Sequence, residues 1–368
     1  MSCALGLLAG AIMIVLSSAS QAFSQSLLPV YKTGSGRFVV DYEIGGDIER
    51  ADFLARPTDI ALDSRGNLFV LDAGNYCIKK FDPSGKLLGS FGRKGEGPGE
   101  IEFVTGMGFD REDRLVVYDH GNNRFTVFAN TGVFVKTAGI NEIGWRSVLG
   151  MNIDPKGRLY IESSRTHEWS PKPDTWTVIS RVDLDTMTET PVDSASFKSF
   201  YWRQDGDTRT GASAPYCPEL HWGVAPSGDI VLANSADYSI KIIAQDLSLR
   251  REVRPTRARY PVTDKNKEEY FSGFEGENLL IWLRQTVEFP KFMPYFDRLL
   301  IDGDGYLLFL VEEPTDSTHL YEVFTPAGEF VNRVTLPRLS RGAILAGKFI
   351  YTIARGEEDP VVRRYRLE

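Results

Sequence analysis

The chain has little cysteine, little histidine and no clustered positive charge, and each scarcity removes a class of explanation. Three cysteines in 368 residues exclude a disulfide-stapled scaffold, and no C-x-x-C pair is present for zinc or redox exchange. The four histidines, at 120, 167, 221 and 319, are dispersed and form no H-E-x-x-H motif, so a metal site would have to assemble across the fold. No G-x-S-x-G nucleophile elbow occurs. Lysine and arginine are scattered or interleaved with acids, and the net charge is −8. That balance argues against a nucleic-acid or anionic-membrane surface. The apolar run at residues 4–16 is shorter than the ~20 residues a bilayer span needs.

That run, followed by small residues ending Ala22-Phe23-Ser24, reads as a secretory leader over 1–24. No lysine or arginine precedes it, and Cys3 lies upstream of it, so Cys3 is not a lipid-bearing cysteine. The expected mature protein is exported, periplasmic or extracellular, with no stable membrane span once the leader is cleaved.

What the chain does have is one phrase said six times. Residues 56–70 read R-P-T-D-I-A-L-D-S-R-G-N-L-F-V, an apolar strand, a tight turn and a second apolar strand. The same grammar returns at 103–117, 147–161, 221–232, 298–309 and, degraded, at 341–351. Aligned on the turn residue, the copies give Gly66, Asp113, Gly157, Gly228, Gly305 and Gly347, with separations of 47, 44, 71, 77 and 42 residues. A period of about 40–50 residues with several strands per unit is the signature of a propeller blade. The first two units continue through Gly-, Asn- and Asp-rich turns into two further strands, which makes four antiparallel strands per blade.

Val70-Leu71-Asp72 with Asn75, and Val117-Tyr118-Asp119 with Asn123-Arg124, resemble the NHL repeat. Nearly all of 37–368 resembles the bacterial six-bladed propeller family, including a Gly-rich blade linker over 91–100. The expected fold is therefore an all-β, six-bladed β-propeller. Residues 25–36 read as a linker, and 37–368 as one propeller with inserts near 194–218 and 261–294. The first insert is polar and aromatic with few strand cues, and reads as a surface loop. The second, with Thr263 as a capping residue, reads as one or two short helices. Blade 6 is one strand short at the C-terminus, and residues 37–44 (R-F-V-V-D-Y-E-I) form an orphan strand at the other end. Lending that strand to blade 6 closes the ring and hides an edge. Cys77 and Cys217 then fall on opposite sides of the ring, beyond disulfide reach.

The innermost strand of each blade lines the axis, and strand side chains alternate. Positions seven and five before each turn are small or polar and are assigned to the channel. Positions six and four before it are apolar and are assigned to the blade core. This nominates Asp59, Asn152, His221 and Arg298 as channel-mouth ligand-binding residues. His221 suits a hydrogen-bonding, general-base or metal-ligand role, or a channel histidine satisfied by water or a carbonyl. Arg298 suits a carboxylate or phosphate clamp, or pairing with Asp297 or Asp59. His120, Arg124 and Trp169 are loop candidates, whereas Asp72, Asn75, Asp119 and Asn123 suit local turn bonds. Asp302-Gly303-Asp304-Gly305 lacks the later ligands of a calcium loop and reads as a turn.

Two functions follow. The first is a non-catalytic, monomeric binding propeller that presents the channel mouth to a glycan, peptide or protein, with no cofactor. The alternative is a metal-dependent hydrolase, lactonase or lyase at the channel, the one case in which a divalent metal is called for. Lactonases of the gluconolactonase-like kind hold their metal with Glu and Asn/Asp near the axis. Asp59 and Asn152 match the latter, whereas no matching Glu is evident, Glu102 and Glu219 being only nearby.

Overall fold

The computed structural model describes residues 26–140, 147–166, 174–198, 200–205, 208–315, 317–356 and 359–368. Six four-stranded antiparallel sheets form a ring: a six-bladed β-propeller. Blades 1 to 5 span 57–91, 104–139, 147–198, 220–253 and 298–337, and the last blade combines 344–367 with an N-terminal strand.

The repeated turn is built the same way in several blades. Asp63, Asp110, Asp154 and Asp302 each accept, on one carboxylate oxygen, the N–H groups two and four residues on, at 2.8–3.0 Å. The aligned turn residues, Gly66, Asp113, Gly157, Gly228, Gly305 and Gly347, all have positive φ, where a side chain is disfavoured. Asp113 offsets its strain by accepting Ser64 N–H and the Asn130 amide, each at 2.9 Å. The Asp302 loop is thus a turn, as read. Asp72 and Asp119, both fully buried, cap a second joint. They accept the N–H groups of Ala55 and Arg56, and of Glu102 and Phe103, and so lock each blade to the segment entering it.

The ring closes with both chain ends. Phe38–Gly45 is the outer strand of the last blade and pairs antiparallel with Pro360–Leu367. Arg364 holds the joint: its Nε donates to Asp41 at 2.8 Å, and its Nη1 reaches the Pro83 carbonyl of blade 1. The guanidinium stacks 4.1 Å from the Tyr42 ring centre and 4.5 Å from that of Phe349.

Residues 25–36, read as a linker, contain helix α1 (Leu28–Thr33), which packs Val30 and Tyr31 into the core shared by blades 5 and 6. Tyr31 Oη donates to Asp302 at 2.8 Å, both groups buried. Tyr31→Phe removes a hydrogen bond from a buried carboxylate and is expected to destabilise the fold by about 1–3 kcal/mol, measured by urea denaturation. A change below about 0.5 kcal/mol would show that α1 only rests on the ring.

The reading of 194–218 as a loop is corrected. The outer strand of blade 3 runs on over Glu189–Lys198, and a two-stranded hairpin follows, Phe200–Asp205 with Thr208–Ser213. Without a blade period to mark them, its aromatic residues read as irregular chain. The second insert holds α2 (Asp264–Ser272) and α3 (Glu277–Thr286). A reciprocal capping box between Thr263 and Asn266 starts α2, satisfying N–H groups a helix end leaves open. Ala212 of the hairpin, Phe271 and Leu283 form one small apolar core that joins hairpin and helices. Cys77 and Cys217 are unpaired and half-buried, and burial pushes both thiols up to about 11. No helix among the described residues is long and apolar enough to cross a membrane.

Candidate functional site

Blades stand edge-on to the axis, so both faces of an innermost strand pack on neighbouring blades. This corrects the channel set: Ala61 and Leu300, assigned to it, are buried in blade cores. The core set is found as read, with Ile60 and Met107 buried and Trp222 packed on a blade core, although all three also border the channel. A different irregularity supplies further lining. In blades 1, 2 and 3 the innermost strand carries a bulge that leaves Thr58, Thr105 and Leu149 out of the ladder. A bulged residue is re-aimed away from its regular direction, and all three are exposed on the channel wall.

One mouth of the channel widens into a cavity of about 1180 Å³. Asp59, Asn152, His221 and Arg298, from blades 1, 3, 4 and 5, all line it. The loop candidates do not join them. His120 packs edge-on against Phe103 and Tyr118. Arg124 donates to the carbonyls of Glu96, Gly97 and Glu100 at 2.7–3.1 Å; it pins the Gly-rich blade linker. Trp169 lies outside the described residues.

Within the cavity each charge is conditioned by its surroundings. Asp59 accepts Ile60 N–H on Oδ1 and Met107 N–H on Oδ2, each at 2.9 Å, which ties blade 1 to blade 2. Burial nevertheless pushes its carboxyl up to about 7, against the pull of those two N–H groups. A Cβ on Gly342 would stand 3.2 Å from Asp59 Oδ1, so the carboxyl sits close to the last blade as well. His221 packs on Phe296, ring centres 5.2 Å apart. Burial, then the cations Arg341 and Arg298, push it down to about 4, so its imidazole is neutral near pH 7. Arg298 donates to the Leu339 carbonyl at 2.6 Å.

Other lining residues escaped the sequence reading. Glu162, on the second strand of blade 3, accepts the Trp222 indole N–H at 2.8 Å, and burial raises its carboxyl. Arg341 approaches Glu219 at 3.8 Å, with its side chain 75% exposed. Phe200 and Trp202 of the hairpin complete the rim. Counting back from turns finds only innermost strands; these groups come from a second strand, an insert and an inter-blade linker.

Among the described residues, no three His, Cys, Asp or Glu side chains gather as a metal-ligand set, and both Asp59 oxygens are engaged by main-chain N–H groups. What the cavity offers is a set of donors and acceptors beside aromatic faces, chemistry suited to holding a polar ligand.

Residues 54–81 match the NHL repeat. The match covers the first three strands of blade 1. No curated protein sequence matches the chain. Among solved structures, it is similar to a member of the DUF4221 family from Bacteroides vulgatus, 11% identical, with a TM-score of 0.55 over 92% of this chain and 99% of that one. A gluconolactonase from Xanthomonas campestris is 11% identical, with a TM-score of 0.47 over 94% of each chain. Virginiamycin B lyase from Staphylococcus aureus is 10% identical, with a TM-score of 0.45 over 89% of this chain and 99% of that one. At 11% identity the likeness to the DUF4221 protein shows a shared fold, and nothing finer follows.

Proposed function

We propose that the protein is a non-catalytic, monomeric binding propeller that presents its channel mouth to a glycan, peptide or protein ligand. One observation carries the reading. Asp59, Asn152, His221, Arg298, Glu162 and Arg341, drawn from several blades and a blade linker, line a single wide cavity. The absence of a metal-ligand trio among the described residues weighs against the metal-dependent hydrolase or lyase alternative. The leader-like residues 1–24 support a site outside the cytoplasm.

The test joins metal analysis of the purified protein to a thermal-shift screen against oligosaccharides and peptides. Hits that stabilise the protein are expected to vanish in His221→Ala and Asp59→Ala, with no stoichiometric divalent ion present. A tightly bound ion, or lactone or ester turnover lost in those variants, would overturn the binding reading in favour of an enzyme.

A further inference from the structure

The hairpin over Phe200–Ser213 has two faces with different tasks. Side chains alternate along a strand, so Tyr201 and Arg203 share one face, and Phe200 and Trp202 the other. The first face is fastened to the helical insert. Tyr201 Oη accepts Glu288 N–H at 2.9 Å and lies 3.2 Å from the Glu288 carbonyl, and Arg203 stacks over Trp282. The second face looks into the channel mouth. There Phe200 and Trp202 stand nearly parallel, ring centres 5.6 Å apart and planes 21° apart.

The platform is held in shape from beneath. Gly211 is the cross-strand partner of Trp202, and indole atoms Cε3, Cζ3 and Cδ2 occupy the place a Cβ would take. Any side chain at 211 would lift the indole off its strand. Phe200 remains 39% exposed, an aromatic face kept open at the rim of a cavity.

We infer that this rim is a saccharide subsite, and that the ligand is a neutral oligosaccharide with one ring lying on Phe200 and Trp202. An aromatic face carries negative charge density and attracts polarised C–H groups, which a pyranose presents on its flat side. The remaining lining both gives and accepts hydrogen bonds, as sugar hydroxyls require. Arg341 and Arg298 donate, Glu219 and Glu162 accept, and the neutral imidazole of His221 does both. Charge selects against an acidic sugar. Two arginines are set among Asp59, Glu162, Glu219 and Asp297 in the same cavity, which leaves no surplus of positive charge for a carboxylate ligand. The volume of about 1180 Å³ exceeds the ~1,000 Å³ upper range of drug-sized pockets, room for several sugar rings. This inference rests on the binding reading above.

The experiment titrates full-length protein with cellohexaose, xylohexaose, maltohexaose and laminarihexaose, followed by tryptophan fluorescence and calorimetry. Hexagalacturonate and a neutral capped hexapeptide serve as comparators. At least one neutral hexasaccharide is expected to bind with Kd below about 1 mM. Trp202→Ala is expected to weaken it about tenfold or more, and Trp202→Phe by only about threefold. Arg341→Ala, on an exposed side chain away from the hairpin, provides a variant that does not depend on the platform's folding, and a loss of about threefold or more is expected. The inference is overturned if none of the four sugars binds, if neither Trp202→Ala nor Arg341→Ala weakens binding, or if hexagalacturonate or the peptide binds more tightly. Peptide binding lost in His221→Ala would overturn the saccharide while leaving the binding reading intact. Ester or lactone turnover with no sugar bound would overturn both.

Discussion

Arg364→Ala is expected to destabilise the propeller by about 3 kcal/mol, the lower end of the cost of breaking a buried ion pair. Arg364 is 9% exposed and serves the closing strand in three ways at once. It pairs with Asp41, reaches the Pro83 carbonyl of the neighbouring blade, and fills the space between Tyr42 and Phe349. Asp41 retains Arg366 at 3.5 Å after the substitution, which keeps the expected loss from being larger. Arg364→Lys preserves the charge but not the planar, stacked fork, so its loss should be intermediate. Urea denaturation of both variants checks this; equal, small losses below about 1 kcal/mol would mean that backbone pairing alone closes the ring.

Asp59→Asn and His221→Gln should tilt the pH dependence of stability in opposite directions. The folded carboxyl of Asp59 stands at about 7 against an ordinary 3.8. Its contribution is therefore full below 3.8 and is lost as pH rises toward 7, because the unfolded chain gives up the proton first. His221 stands at about 4 against an ordinary 6.5. Its contribution is full above 6.5 and is lost as pH falls toward 4, because the unfolded chain takes up the proton first. At 1.36 kcal/mol per unit the change amounts to roughly 4 kcal/mol for Asp59 and roughly 3 kcal/mol for His221, and the two windows overlap. In the natural protein they largely cancel. Relative to it, Asp59→Asn should lose stability toward acid, and His221→Gln should gain it. Urea midpoints at about pH 4.5 and about pH 6.5 separate the two. Variants that both track the natural protein would show these groups to be solvated in the folded state.

The parts of the fold legible in the sequence were those a repeat makes local. The turn glycines could be aligned because each occupies a backbone conformation that few residues tolerate, and Asp72 and Asp119 recur because each caps its own joint. The closing strand was legible by subtraction, since one blade lacked a strand and one strand lacked a blade. Helix α2 announced itself through Thr263. The hairpin did not, because Phe200, Tyr201 and Trp202 sit in a segment without period, and their pairing with Gly211–Ser213 is visible only once the chain is folded. The site was half legible for a related reason. Asp59, Asn152, His221 and Arg298 stand on innermost strands and could be counted from a turn. Glu162 and Arg341 enter the cavity through the ring's curvature, which no single blade encodes. His120 and Arg124 look like site residues by their singularity, yet their partners are a neighbouring phenylalanine and the carbonyls of a glycine-rich linker.

The closing strand has a consequence for how the molecule comes into being. Asp41 and Arg364 lie 323 positions apart, so the first strand to leave the ribosome waits for the last before it has a partner. Until then it is a bare edge, and bare edges pair with whatever strand is near. At high local concentration that neighbour is the C-terminal strand of another copy. The clasp that closes a finished ring therefore also makes an unfinished one prone to exchange strands, and trimming the chain before Pro360 would leave every copy permanently in that state.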